Sequence, residues 1–295
     1  MADEQKQKIL IAVDGSEQSL NAVRYVACIM DPISTIAVLF NVENEMPQWV
    51  KEMGDDSYNR MKTASIKQWS LSRKKVIKGF FDEAHAILVN AGFPEDNIRP
   101  VIRAKQVSIA ADILDESKEG YSAVVMGRRG ISKLKDLLFD SFAQNLIGKI
   151  KDIPLIIVGG KEFSRSIMIA YDPAVWSKRN VNCVGSLLKS SSCNFHICHA
   201  VASKEIERER IERSMEEARN LLHRFGKPDT CISSKVIPIE RGAAIDIVEA
   251  ALDHNCDTIV VGRRGLLSFY EEQIVGRFTE KILKKATQMA VWILA

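Results

Sequence analysis

The sequence predicts an α/β chain of two tandem Rossmann-like domains, each a five-stranded parallel sheet with helices on both faces. Three observations carry that expectation. Short apolar runs alternate with amphipathic segments along the whole chain, the signature of repeated strand–helix units around a buried parallel sheet. The alternation occurs twice, with matching turns. And at 295 residues the chain is about twice the ordinary domain length of ~100–200 residues.

The first unit, KILIAVDGSEQSLNAVRYVACIM, is an apolar strand ending at Asp14, a short glycine-containing turn, and a helix with Leu20, Val23, Val26 and Ala27 on its apolar face. A second copy, SIMIAYDPAVWSKRNVNCVGSLL, starts at Ser166 and ends its strand at Asp172, with Pro173 near the helix start, where proline is tolerated. Farther on, SAVVMGRRG (122–130) is matched by DTIVVGRRG (257–265). The aspartates lie 158 positions apart and the glycine turns 135, so the first repeat is 23 residues longer, with the insertion between Val42 and Val101 in the loop and long helix after its second strand. Strands are expected near 8–13, 36–42, 98–103, 122–126 and 155–158, and again near 166–171, 194–200, 231–237, 257–261 and 290–294. An amphipathic helix is expected over roughly 203–225, with Ile206, Ile211, Met215, Ala218, Leu222 and Phe225 facing the core and Glu–Arg pairs facing solvent. The stretch GGKEFS (Gly159–Ser164) marks the boundary, giving domains 1–159 and 165–295 kept close by a short linker.

Composition excludes several classes of function. A hydrophobic fraction of 46% and a charged fraction of 27% are those of an ordinary globular protein. Forty-one basic against 38 acidic residues leave a net charge of +3, too small a field to imply nucleic-acid or membrane binding. The densest basic run, Arg73-Lys74-Lys75 with Lys67 and Lys78 nearby, lacks interleaved aromatics and reads as a solvated helix face. The charged start MADEQKQK and the lack of any apolar run near ~18–20 residues show neither signal peptide nor membrane anchor, so a cytoplasmic location is expected. Six cysteines without a Cys-x-x-Cys agree with a reducing compartment and read mostly as small buried hydrophobes.

In an open parallel sheet the ligand crevice lies beyond the carboxyl ends of the strands, where the strand order reverses. Asp14, Asp172 and both Gly-Arg-Arg-Gly turns are expected there. A carboxylate at such a place can accept hydrogen bonds from ribose hydroxyls or a base amino group, and a glycine turn lets backbone amides approach phosphate. Gly127-Arg-Arg-Gly130 is followed after nine residues by Asp140-Ser141, and Gly262-Arg-Arg-Gly265 after ten by Gly276-Arg277. Together with Pro154 before the fifth strand (DIPLIIV) and the segment AAIDIVEAALDHNCDTIVVG, this resembles the universal stress protein family over nearly the whole chain. That family places Gly-x2-Gly-x9-Gly-Ser/Thr after its fourth strand and an aspartate at the end of its first.

The resemblance implies the adenine nucleotide alpha hydrolase-like variant of the Rossmann fold and a nucleotide, ATP or another adenine nucleotide with Mg²⁺, as ligand. Carried over by position, it nominates Ala12, Val13, Asp14, Val42, Met126, Gly127, Arg129, Gly130, Ser141 and Phe142 in the first repeat. In the second it nominates Ala170, Tyr171, Asp172, Ala200, Val261, Gly262, Arg264, Gly265, Gly276, Arg277 and Phe278. Two departures from the motif set the repeats apart. Asp140 stands where a glycine should face phosphate, and two like charges at ~4 Å and an effective dielectric of ~20 repel by about 4 kcal/mol before solvent or Mg²⁺ offsets it. Arg277 stands where a hydroxyl is expected, which suits phosphate, but the loop before it is one residue longer.

Cys193, His196, Cys198 and His199 cluster in sequence, yet strand alternation sends neighbours to opposite faces and no zinc spacing is present, so packing is the expected role and no metal site is assigned. No Gly-x-Ser-x-Gly elbow and no Gly-x4-Gly-Lys-Ser/Thr loop occurs, so no catalytic residue is nominated. Trp49 and Met46, in the insertion, are either a lid over the first crevice or packing against the following helix. The expected function is a non-enzymatic stress-response regulator that signals through conformation or partner binding. The expected assembly is an internal pseudo-dimer that associates further as a homodimer or with a protein partner. A nucleotide-independent scaffold and a weak ATPase are the alternatives.

Overall fold

The computed structural model describes residues 6–43, 57–128, 146–172, 175–201, 208–262 and 276–294. The first repeat contains β1 (Gln7–Ala12), α1 (Glu17–Ile29), β2 (Thr35–Glu43), α2 (Ser57–Asn90), β3 (Ile98–Ala104), α3 (Ile109–Glu116), β4 (Ala123–Gly127) and β5 (Leu155–Val158). The second contains β6 (Ser166–Ala170), α4 (Val175–Leu187), β7 (Asn194–Val201), α5 (Arg208–Arg224), β8 (Ile232–Pro238), α6 (Ala243–Asp253), β9 (Thr258–Gly262), α7 (Arg277–Lys285) and β10 (Ala290–Leu294). Each expected strand is present with its ends shifted by no more than a residue or so. The extra length of the first repeat falls largely in one helix, since α2 has 34 residues where α5 has 17.

All the described strands join one sheet in the order β3-β2-β1-β4-β5-β10-β9-β6-β7-β8. Pairing is parallel within each repeat and antiparallel where β5 meets β10, with Trp292 opposite Ile156. Because the sheet is covered on both faces, its strands read as continuous apolar runs whose alternate residues enter different cores. Ile9 and Ile11 enter one core, with α1, α2, α4 and α5, while Leu10 enters the other, with α3, α6 and α7. Both cores cross from one repeat to the other. The outermost strands carry Pro100 and Pro238, residues that blunt an open edge.

The seam is sealed by a buried polar contact of aromatic residues. Trp292 of β10 and Tyr25 of α1 are both fully buried. The Trp292 Nε1–H donates to the Tyr25 hydroxyl at 2.7 Å, and that hydroxyl lies 3.0 Å from Thr258 Oγ1 of β9. Phe163, in the linker, meets the Tyr25 ring edge-on at 5.1 Å. Gly159 explains why the boundary carries glycine: a Cβ there would lie 2.1 Å from the carbonyl oxygen of Thr287, in the segment leading into β10.

Tyr25→Phe keeps the ring but leaves the indole N–H and the Thr258 hydroxyl without this partner in a dry seam. A destabilisation of about 1–3 kcal/mol is expected, the usual cost of an orphaned buried polar group. Chemical denaturation of both chains measures it, and a loss below ~0.5 kcal/mol would show that the seam does not depend on this hydroxyl.

Candidate functional site

Strand order reverses between β1 and β4 in the first repeat and between β6 and β9 in the second, since β2 and β7 lie on the other side of their first strands. At these points the carboxyl ends of neighbouring strands diverge to helices on opposite faces, leaving a crevice. Ala12 pairs with Met126 across the first switch point, and Ile169 with Val260 across the second. Asp14 and Gly127 therefore emerge side by side at one end of the sheet, and Asp172 and Gly262 do so in the other repeat.

The two aspartate loops are built alike. The Asp14 amide donates to Ser19 Oγ at 3.4 Å, and the Asp172 amide to Ser177 Oγ at 3.1 Å. The carbonyl just before each aspartate is gripped from the next strand: Asn41 Nδ2 donates to Val13 O at 2.7 Å, and His199 Nδ1 lies 2.8 Å from Tyr171 O. A carbonyl can only accept, so His199 carries its hydrogen on Nδ1. In the first loop the amide and hydroxyl of Ser16 also donate to Asp14 Oδ1, at 3.1 and 2.5 Å, while the Ser16 hydroxyl oxygen caps α1 by accepting from the Ser19 amide. A fixed carboxylate at the mouth of a helix N-terminus, where backbone N–H groups favour anions, can orient a polar ligand with a negative tail.

Gly127 is required by the approach of α1. A Cβ at this position would lie 2.0 Å from the backbone oxygen of Gln18 and 2.8 Å from the Ser19 nitrogen, so any side chain would push the helix start away from β4. In the second repeat the fully buried Thr279 of α7 donates to the carbonyl of Gly262 at 2.9 Å.

The nominated residues divide by what they expose. Asp14 is exposed, and Ala12, Ala170, Asp172, Ala200 and Gly262 are half-buried around the crevices. Val13, Val42, Met126, Tyr171 and Val261 have buried side chains, so any contact they make to a ligand is through the main chain. The Tyr171 hydroxyl, for instance, is turned to Ser214 of α5 at 3.1 Å. Gly276 is the N-cap of α7, Arg277 opens that helix with an exposed side chain, and Phe278 packs on the second core. Arg129, Gly130, Asp140, Ser141, Phe142, Arg264 and Gly265 lie outside the described residues, as do Met46, Trp49, Pro173 and Ile206.

Sequence reasoning passed over Arg128, the first arginine of the Gly-Arg-Arg-Gly turn, and over Asn41. Arg128 crosses the seam: Nη1 donates to Leu283 O at 2.6 Å and Nη2 to Ala286 O at 3.4 Å, at the C-terminal end of α7. Burial pushes its pKa down to about 10, which leaves it protonated at neutral pH. The repetition of Gly-Arg-Arg-Gly in both halves was the available signal, but it does not say which arginine turns inward.

The cysteine–histidine cluster is dispersed by the strand. Cys193 enters one core and Cys198 the opposite one, and burial pushes their thiols to about 12 and about 11. His196 Nδ1 pairs with Ser233 Oγ at 2.7 Å while His199 holds Tyr171. Among the described residues no group of three or more His, Cys, Asp or Glu side chains is placed to hold a metal, and no helix is long and apolar enough to cross a membrane.

The model of the universal stress protein family matches residues 6–159 and again 164–293. The chain is similar in fold to a universal stress protein from Archaeoglobus fulgidus, at 20% identity and TM-score 0.65, with 98% of each chain covered. It is similar also to a functionally unknown protein from Pseudomonas aeruginosa, at 13% identity and TM-score 0.60, covering 99% of this chain and 93% of that one. No curated protein sequence matches it.

Gly127→Ala tests the contact that shapes the first crevice. The added methyl overlaps backbone, which cannot swing aside as a side chain can, so a loss of about 1–3 kcal/mol is expected in thermal or chemical unfolding. A neutral result would show that α1 can shift off β4.

Proposed function

The chain belongs to the universal stress protein family, and on that premise we propose that it is a regulatory protein whose state is set by an adenine nucleotide, ATP in the first instance, bound in at least one of its two crevices. The observation that carries this reading is the paired placement of Asp14 beside Gly127 and Asp172 beside Gly262 at the switch points of the sheet. The carboxylate suits the ribose or base. The glycine end and the neighbouring helix start suit phosphate, with Mg²⁺ screening the charge that Asp140 adds in the first repeat. The second crevice has the more favourable charge, because Arg277 is exposed at the start of α7.

Among the described residues no nucleophile at either crevice is combined with a base and an orienting group, and the proposed signal lies in occupancy, with turnover left to the phosphate-release test below. A ligand that prefers one arrangement of the crevice shifts the population toward it, and a partner surface can read that shift. A scaffold working without nucleotide is favoured by one feature, the commitment of Arg128 to the seam, which gives the first half of that turn a structural role of its own.

Thermal unfolding with and without ATP and Mg²⁺ separates the two. A ligand bound only by the folded chain at 100 times its dissociation constant adds ~2.7 kcal/mol of stability. The shift is expected in the unmodified chain, reduced in Asp14→Ala or Asp172→Ala and lost when both are combined, with no phosphate release above background. No shift at millimolar ATP would sink the nucleotide reading in favour of the scaffold.

A further inference from the structure

α7 runs between the two candidate crevices, and each end is fastened to one of them. At its start Gly276 is the N-cap and Arg277 the first helical residue, the pair nominated for the phosphates of the second crevice. One turn on, Thr279 ties the helix to the carbonyl of Gly262 at the end of β9. At its finish Leu283 O and Ala286 O accept from the guanidinium of Arg128, which directly follows Gly127 at the end of β4 in the first crevice. The nine residues of α7 span about 13 Å at ~1.5 Å rise per residue. Ile282 and Leu283 are fully buried in a shared core, so the helix shifts as one piece if it shifts at all.

The Arg128 contact answers a need at each end. The last carbonyls of a helix have no partner within it, and a cation there meets the negative end of the helix dipole. The guanidinium, partly withdrawn from water, gains those carbonyls in exchange, while its buried Nε has no hydrogen-bond partner among the described residues. Arg128 is anchored on its own side as well, because its amide donates to Val158 O of β5 at 2.7 Å. The second repeat carries Arg263 at the matching position of its own turn, outside the described residues.

We propose that Arg128 and α7 couple the two crevices, so that nucleotide bound in one raises the affinity of the other. The coupling rests on the nucleotide reading above. A ligand that fixes the main chain at Gly127 fixes the guanidinium on the last turn of α7, and the helix carries that ordering to Gly276 and Gly262. The entropy lost in ordering this path is lost at the first binding event and not again at the second, which is positive cooperativity without a large change of structure.

Calorimetric titration of the full chain with ATP and Mg²⁺, beside Asp172→Ala, Arg128→Met and the double variant, tests it. Arg128→Met keeps an unbranched apolar stem and removes the donors. The second ATP is expected to bind the unmodified chain at least about fivefold more tightly than ATP binds the remaining crevice of Asp172→Ala, the lower end of ordinary couplings. Arg128→Met should bring that ratio to one. Arg128→Lys, whose single ammonium cannot reproduce the forked guanidinium, and Thr279→Val, which releases the other end of α7, should each lower the ratio and serve if the methionine variant folds poorly. A ratio of one in the unmodified chain, or a ratio that none of these substitutions moves, would overturn the coupling and leave the nucleotide reading standing. Absence of ATP binding at both crevices of the unmodified chain would overturn the nucleotide reading and the coupling with it. Hydrogen exchange on the ligand-free chains gives a readout independent of ATP: Arg128→Met should speed exchange through α7 as far as residues 277–280 and at the end of β9. Acceleration confined to 283–286 would show that the helix transmits nothing.

Discussion

The antiparallel pairing of β5 with β10 is the constraint on which the rest of the molecule depends. Each half would otherwise end in an open edge, an apolar row of unpaired backbone groups that invites another chain. Ile156, Ile157, Val291 and Trp292 are buried because the two edges close on each other, and both cores then run through the junction without a break. Short linkage explains why this pairing is made within one chain. With only Gly159–Arg165 between β5 and β6, the two halves are tethered at high effective concentration, so closing the seam intramolecularly competes well against pairing with a second copy.

Duplication also explains why the crevices are equal in frame and unequal in detail. The frame is set by backbone groups that must be satisfied wherever a strand end turns into a helix, and two residues as different as Asn41 and His199 do the same work on the preceding carbonyl. Ser19 and Ser177 likewise both accept from the amide of the aspartate. Where no backbone group demands a partner, the copies have diverged: Val13 fills space where Tyr171 reaches Ser214, and the seam uses Tyr25 from the first helix of one repeat with Trp292 and Thr258 from the other.

Most of the fold was legible in the sequence because the strands of a doubly covered sheet are uninterrupted apolar runs and because the same run, turn and helix occur twice. The first repeat alone would have been harder to read, with a 34-residue helix of weak amphipathic pattern standing where a shorter one is usual. The aspartates and the glycines at strand ends were legible for the same reason, since a polar residue or a glycine closing an apolar run marks the end of a strand. Arg128 and Asn41 were not. Both act on main-chain carbonyls distant in sequence, Leu283 and Ala286 in one case and Val13 in the other, and a backbone acceptor leaves no complementary residue type for a pattern to find. The Tyr25–Trp292 contact escaped for a related reason: its partners are 267 positions apart and each alone reads as an ordinary core aromatic.

A consequence follows for how such a protein could carry a signal. In a single domain the glycine turn after β4 would face only its own crevice, and the groups around it could change without regard to anything else. Here the residue after Gly127 supports a helix of the other half, so the turn answers to two requirements at once, one from the candidate crevice and one from the seam. The half-buried guanidinium raises the stakes, because withdrawing it from α7 would cost a cation and two carbonyls their partners where access to water is reduced. A change at one strand end therefore bears on the seam as well as on its own crevice. That is the physical condition under which a fold can convert occupancy at one point into altered structure at another.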